Sequence, residues 1–350
     1  MMAAASPSPH EIRSFRSANP SLRERDLAAQ LGISEAALVA AECGLTATRI
    51  DGNANTFLSR AAELGSVLAL TRNESAVHEK DGVYDNVTPG KFATLVLGGA
   101  IDLRVFPTAW AHGFAVTKTD GDTVRRSFQF FDCEGMAVHK VHLRAHSNVD
   151  AFVRITDDLA LEDQSQIFVP TTRPAKIEEI SETDVAALRD NWSRMTDTHE
   201  FFGMLKKLKV NRQEAVRRVG EDYAWQLDNQ AAEAMLNASA AQGLPIMCFV
   251  GNPGVIQIHS GPVQTIKAMG PWLNVMDDDF HLHLRMDHIA ETWAVRKPTK
   301  DGHVTSVEIY DAKGEMIIQF FGKRHEGNQE QDAWRGIVES LNRFNSIVAA

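Results

Sequence analysis

Two stretches carry the fold of this chain: Ser127–Leu143, SFQFFDCEGMAVHKVHL, and Thr305–Phe321, TSVEIYDAKGEMIIQFF. Each reads as an alternating run, a short turn and a second alternating run, which is the pattern of an antiparallel hairpin. The two are also one stretch written twice. Asp132 and Gly135 fall on Asp311 and Gly314 at a shift of 179 residues. The same shift carries Asn73 onto Asn252, Gly82 onto Gly261, Ala115-Val116 onto Ala294-Val295 and Lys118 onto Lys297. It also carries Glu35-Ala36 onto Glu214-Ala215, and it pairs Leu70 with Phe249, Phe130 with Ile309 and Val138 with Ile317. The register holds without gaps from about residue 20 to about residue 144. A period this long rules out a solenoid, so each copy is a domain-sized unit.

Working outward, each half reads helix first and strands after. SLRERDLAAQLGISEAALVAA has helical spacing broken at Leu31-Gly32-Ile33, and HEFFGMLKKLKVNRQEAVRRV breaks at Val210-Asn211. Strand-like runs follow: SVLALTRN and AVHEKDG in the first half, PIMCFVGN and GVIQIHSG in the second. Asn252-Pro253-Gly254 and Asp-Gly at 81, 120 and 301 are turn signals. The fold class is therefore α+β: two tandem repeated halves, each a large antiparallel sheet with helices packed on it. The expected boundaries are a weakly ordered or disordered N-terminus over 1–19, a first repeat over 20–165, a linker over 166–185 containing Pro170 and Pro174, and a second repeat over 186–350.

Composition narrows the function classes. Hydrophobic residues make up 44% and charged residues 23%, enough for a real core. The formal net charge of −10 argues against broad binding to nucleic-acid phosphates or anionic membranes. Cys43, Cys133 and Cys248 are sparse, odd in number and never in a CxxC pair, which fits a reducing compartment. The opening MMAAASPSPHEIRSF is not a secretory signal, and no apolar run approaches the ~20 residues of a membrane span. The expected location is the cytoplasm.

Thirteen histidines invite metal chemistry. His139, His142 and His146 have helical spacing but lie in a strand pattern, where 139 and 142 face opposite sides. His281 and His283 would share a strand face beside Asp277, Asp278 and Asp279; a solvated face is the plainer reading. No HExxH, GxSxG, Walker loop or GxGxxG is present. His199 differs. Asp197 with Glu200 three residues on reads as an N-cap pair, placing His199 in a first helical turn. There the helix dipole disfavours imidazolium, and neutral imidazole is the metal-binding form. Phe201, Phe202, Met204 and Leu205 would wall a flat apolar ligand.

MTDTHEFFGMLKKLKVNRQEA, WAVRKPTKDGHVTSVEIYDAKGEMIIQFFGKRHEGNQE and TRNESAVHEKDGVYDNV resemble segments of the bacterial cytoplasmic haemin-binding and haemin-degrading family of the HemS/ChuS type. The likeness runs from about residue 20 to about residue 345 and includes the two-half design. It implies haem in the second half, with His199 as axial ligand to the iron. It implies Arg212, Lys297, Gln319 and Arg324 along the cleft, where two propionates need cationic or hydrogen-bonding partners. Phe249 and Phe321 would pack on the porphyrin face, Phe321 standing where some relatives place a tyrosine. Arg104 matches an arginine on the opposite side of the haem, in a catalytic position to hydrogen-bond water, hydroxide or dioxygen on the iron, with Phe106 beside it. His78 matches a histidine that implies a second haem site in the first half, although a surface hairpin histidine is the plainer reading. Under the 179 shift, Pro20, Lys140, His142 and Ala145 stand where His199, Gln319, Phe321 and Arg324 do; only Lys297 keeps its identity, in Lys118. The constellation therefore exists once.

Three functions compete. The first is a haem-degrading, haem oxygenase-like oxidoreductase of iron acquisition, taking electrons from an external donor such as a reductase. The second is a carrier receiving haem from an inner-membrane importer and passing it to an acceptor. Either would be a monomer or homodimer. The third is a helix-turn-helix regulator, because RDLAAQLGISEAALVAA places Gly32 at a turn and Ser34 at a cap. Its second helix carries no Arg, Lys, Asn or Gln to read bases, so no nucleic-acid partner is expected.

Overall fold

The computed structural model describes residues 6–172, 184–324 and 329–344. In chain order the elements are α1 (Pro9–Ala18), α2 (Glu24–Leu31), α3 (Glu35–Ala40), β1 (Ala47–Ile50), α4 (Ala54–Leu58), β2 (Val67–Arg72), β3 (Ala76–Gly82), β4 (Val87–Thr88), β5 (Thr94–Leu97), β6 (Asp102–Val105), β7 (His112–Asp120), β8 (Thr123–Phe131), β9 (Ala137–Leu143) and α5 (Val149–Leu159). The second half continues with α6 (Val185–Ser193), α7 (Glu200–Leu208), α8 (Arg212–Arg218), β10 (Ala224–Leu227), α9 (Ala231–Gln242), β11 (Ile246–Asn252), β12 (Val255–Gly261), β13 (Ile266–Met269), β14 (Trp272–Met276), β15 (Phe280–Arg285), β16 (Glu291–Thr299), β17 (Gly302–Tyr310), β18 (Met316–Gly322) and α10 (Asp332–Ser340).

The chain divides into two compact units, and each takes a short segment from the other half of the sequence. The first comprises residues 1–72, 79–174 and 251–257; the second comprises 73–78, 175–250 and 258–350. In the first, β1-β7-β8-β9-β2 form an antiparallel run, and β4, β5 and β6 a second meander. In the second, β10-β16-β17-β18-β11 and β13-β14-β15 repeat the arrangement. The α+β class and the antiparallel sheets are as the alternation predicted.

The duplication extends to irregular detail. The β8–β9 register shifts between Phe130 and Phe131, and the β17–β18 register between Ile309 and Tyr310, the matching positions. The cause lies in the turns. Asp132 Oδ1 accepts from the amides of Glu134 and Met136, and Asp311 Oδ1 from those of Lys313 and Glu315. Each turn then needs a residue at positive φ, supplied by Gly135 at +84° and Gly314 at +80°. Asn73 and Asn252 match in the same way. Each closes a tight turn with its Oδ1, and each Nδ2 donates to a matched carbonyl, Ile317 for Asn73 and Val138 for Asn252.

The expected disorder over 1–19 is corrected for its helical part. Pro9–Ala18 is a helix with Ser8 and Glu11 forming a capping box and Pro9 in the first turn. Its Ile12 is buried with Leu27, Leu38 and Ala41. Of the expected linker, residues 166–172 are tied to the first unit, where Arg49 donates to the Ile167 carbonyl and the Thr171 N–H to that of Cys133, while Asp184 and Val185 already open α6 of the second. Residues 173–183 lie outside the described residues. No described helix is long and apolar enough to cross a membrane.

The second unit's core has two sides. Val307, Ile309, Ile318 and Phe320 turn to one face and pack with α9 and α10. On the other, α6, α7 and α8 bury Trp192, Phe201, Met204, Leu205 and Val216 against Trp293, Val295 and Tyr310. Those helices cover β10 and β16; Phe249 and Phe321, further along the same face, are only half-buried.

Candidate functional site

The sequence EFFGMLKKL forms α7, and its 3.6-residue period decides what it shows. Phe201, Met204 and Leu205 fall on the core face and are buried. Phe202 falls on the other and is 66% exposed. This corrects the expectation that all four walls a ligand: three hold the helix down and one is presented. The helix ends at Lys209 in the left-handed region, and Asn211 caps α8 by accepting from the amide of Glu214 at 2.8 Å. That turn places Arg212 at the first position of α8, with its guanidinium 5.1 Å from the ring centroid of Phe201 and 5.6 Å from that of Phe202.

His199 is itself the N-cap of α7, not a residue of the first turn, and Asp197 does not cap the helix. Instead, Asp197 Oδ1 lies 2.8 Å from the His199 amide and 2.7 Å from its Nδ1. The His199 amide, its ring and Arg324 hold the Asp197 carboxyl below its ordinary value. An ionised carboxylate only accepts, so Nδ1 carries a proton, and in the neutral ring Nε2 is the lone-pair nitrogen. A carboxylate behind an imidazole fixes the tautomer and strengthens the donor, as in many metal sites. The His199 side chain is 90% exposed, so Nε2 is accessible.

A second feature lies on the sheet. Glu308, in β17, is fully buried and draws five groups to itself. Arg212 Nε and Nη2 reach its two oxygens at 2.9 and 2.7 Å, a bidentate pair. Lys297 Nζ donates at 2.6 Å, Ser306 Oγ at 3.0 Å, Tyr310 Oη at 2.7 Å and Gln319 Nε2 at 3.1 Å. Burial opposes the Glu308 charge, but Arg212 and Lys297 outweigh it and hold its carboxyl well below the usual range. Burial, reinforced by the neighbouring Arg212 charge, brings Lys297 down to about 8 despite Glu308. Below that pH the cluster holds two cations and one anion. A net positive charge in a dry site attracts a further anion.

The alternation of β18 and β11 sets the apolar part beside this cluster. Gln319 pairs with Glu308 on one side and Phe249 on the other. Phe249 and Phe321 meet edge to face with centroids 5.0 Å apart. Arg212, Lys297 and Gln319 are thus brought together, Phe249 and Phe321 adjoin them, and Arg324 stands near the Asp197–His199 pair. All belong to the second unit. Sequence reasoning missed Glu308. Its signal was a charged residue in the apolar run SVEIY, at a position where the repeat carries neutral Gln129. A buried carboxylate there demands cations.

The chain matches the family model for the haemin-degrading HemS/ChuX domain over residues 32–159 and 209–341. It belongs to that family. It is 39% identical over 333 residues to the hemin transport protein HemS of Yersinia enterocolitica, covering 95% of this chain and 96% of that one. Its fold matches that of holo-PhuS, a heme-binding protein from Pseudomonas aeruginosa, with a TM-score of 0.93 and 41% identity, covering 97% of this chain and all of that one. It also matches ChuS, an E. coli heme oxygenase, with a TM-score of 0.83 and 35% identity over 91% of this chain and 95% of that one.

In this HemS/ChuX-family chain the remaining expected residues sit as follows. Arg104, in β6 of the first unit, is half-buried and ion-paired with Asp102; Phe106 follows that strand, and its amide donates to the Gly254 carbonyl at 2.9 Å. His78 is not on the surface: its side chain is fully buried with its ring centroid 4.9 Å from that of Phe280. Iron could reach it only by opening this packing. His139 is likewise buried, between Thr71 Oγ1 at 2.9 Å and Tyr84 Oη at 2.6 Å, while His146 is exposed. Ser34 does cap α3, and Gly32 does end α2 at φ +65°. Yet Glu35, Ala36, Leu38, Val39 and Ala40 of α3 are buried, so that helix is not presented to a DNA groove.

The first unit shows what the matched positions do without such a site. Lys140, the counterpart of Gln319, is buried 2.9 Å from Glu35 and 3.5 Å from Glu24; Lys118, the counterpart of Lys297, pairs with Glu24. There α2 and α3 supply the counter-anions, Glu24 and Glu35, whereas in the second unit the carboxylate facing Arg212 and Lys297 is Glu308 of the sheet itself.

Proposed function

We propose that the chain binds haem on the second unit, with His199 Nε2 as axial ligand to the iron, and degrades it in the cytoplasm to release the metal. The observation that carries this is the carboxylate-backed, 90% exposed His199 on the same unit as a buried cluster with an excess cation. Haem asks for these features: a nitrogen lone pair, flat apolar contact and partners for two propionates. Phe202, Phe249 and Phe321 supply the contact. The Arg212–Lys297–Gln319 cluster and Arg324 supply the partners, with Glu308 aligning the first three. Haem itself brings the redox chemistry when bound; the protein orients it and sets its electrostatics. Arg104 is assigned as the catalytic hydrogen-bond donor, and Phe106 as its neighbour, on family resemblance. The electron donor is external.

A carrier role is the second reading. It is favoured by the exposure of His199, because a ligand at the surface suits hand-over to an acceptor. Haemin-loaded protein given a reductant in air, with catalase present, separates the two. Degradation predicts loss of the Soret band with a linear tetrapyrrole product. A stable Soret band with rapid transfer to an added haem acceptor contradicts it.

A further inference from the structure

The strand FHLHLR, β15, turns Phe280, Leu282 and Leu284 into the core and His281, His283 and Arg285 to the other face. Two histidines at i and i+2 of a strand share one side. Their ring centroids are 6.3 Å apart, and each offers a ring nitrogen within 4.8 Å of the other. Both are half-buried, a setting in which side chains rotate without repacking a core.

The neighbouring strand prepares one of them. Asn274 faces His283 across the β14–β15 ladder and is 4% exposed. Its Nδ2 donates to the Lys267 carbonyl at 3.0 Å, which fixes the amide orientation. Its Oδ1 therefore points to His283 and accepts from Nδ1 at 2.6 Å. An oxygen acceptor at Nδ1 puts the proton there and the lone pair on Nε2. This is the outer-shell contact that metal-binding histidines commonly make.

We propose that His281 and His283 form a site for one nitrogen-preferring divalent cation of the Zn²⁺, Ni²⁺ and Cu²⁺ class, distinct from the His199 site. Imidazole pairs suit these ions, while hard Mg²⁺ and Ca²⁺ want oxygen ligands. Metal–nitrogen bonds of ~2.0–2.1 Å put two coordinated nitrogens roughly 3–3.5 Å apart. A modest rotation of His281 closes the distance, exchanging its present contacts for the ion. Water completes the coordination.

The test is Zn²⁺ titration of the full-length, haem-free chain against a chromophoric chelator. The wild type is expected to hold one Zn²⁺ that His281→Ala and His283→Ala each weaken at least tenfold. Asn274→Ala is expected to weaken it about tenfold by releasing the His283 ring, while His199→Ala keeps it. Haemin binding by the His281 and His283 variants at the wild-type midpoint shows that they are folded. A wild type that takes no Zn²⁺ from the chelator overturns the proposal. So does a His281→Ala/His283→Ala double variant with wild-type affinity and stoichiometry.

Discussion

Lys297 Nζ lies 2.6 Å from Glu308 Oε1, and both side chains are buried in the sheet beneath α7 and α8. Lys297 nevertheless titrates near 8, below the ordinary lysine value, because burial and the adjacent Arg212 charge outweigh this one carboxylate. Its charged form is the one that recognises a propionate. A ligand that prefers the protonated form binds fully below pH 8 and more weakly as pH rises through that value. Haemin affinity is expected to fall by up to about tenfold per pH unit above 8. Dissociation constants measured at pH 7, 8 and 9 for wild type and Lys297→Met check this. The variant is expected to bind more weakly at pH 7 and to lack this component of the pH slope; parallel profiles would remove Lys297 from the site.

Glu308 holds the cluster together from beneath. Glu308→Gln leaves the buried Lys297 and the half-buried Arg212 without their anion, which is expected to cost about 3–5 kcal/mol in urea unfolding. Adding Lys297→Met removes one of the stranded cations. The double variant is therefore expected to recover at least about 1 kcal/mol, a non-additivity read from the mutant cycle. Strict additivity would mean that Glu308 and Lys297 do not share this charge balance.

Phe201 and Phe202 are neighbours with opposite roles. Phe201 is 1% exposed and packs edge to face on Trp192 at 4.9 Å, so Phe201→Ala is expected to cost about 3–5 kcal/mol of stability. Phe202→Ala removes a ring that is 66% exposed, and stability is expected to change by less than about 0.5 kcal/mol. Covering that ring with haem is worth roughly 1.5–3 kcal/mol, so Phe202→Ala is expected to weaken haemin binding by about tenfold or more. Unfolding curves and haemin titrations of both variants check the contrast.

His139 makes the fold acid-sensitive. Burial, with a smaller contribution from His142, lowers it to about 3 in the folded chain, against about 6.5 when unfolded. A depressed folded-state value means that the stabilisation is complete above 6.5 and is lost as pH falls toward 3. Between pH 7 and pH 4.5 this one group is expected to cost roughly 2–3 kcal/mol. His139→Gln, which does not titrate, is expected to lose that much less over the same interval in urea unfolding.

Much of the fold was legible because its signals are local. Asp132 with Gly135 and Asp311 with Gly314 spell out turns within four residues, and the 179 shift repeats them. Gly32, Ser34 and Asn211 mark helix ends by their own backbone chemistry. The N-terminal helix went unread although Ser8 and Glu11 box its start, because it is mostly polar and only Ile12 is buried. Among the proposed site residues, His199 and Arg212 were named by resemblance. Their geometry was not legible: Asp197 reads as a cap in sequence but turns to the imidazole. Phe201, Met204 and Leu205 look like a ligand wall until the docking face of α7 is known. Glu308 lies 96 residues from Arg212, and nothing local to either announces the pair. His78, in an apparent surface hairpin, is buried because its strand is covered by neighbours distant in sequence.

His199 is the proposed ligand to the iron. Haemin titration of wild type against His199→Ala, followed through the Soret band, tests it most directly. His199 is exposed, so the substitution is expected to leave the fold intact while abolishing or strongly shifting the Soret signature and weakening affinity. An unchanged spectrum and affinity in the variant would contradict the account and place the iron on another side chain.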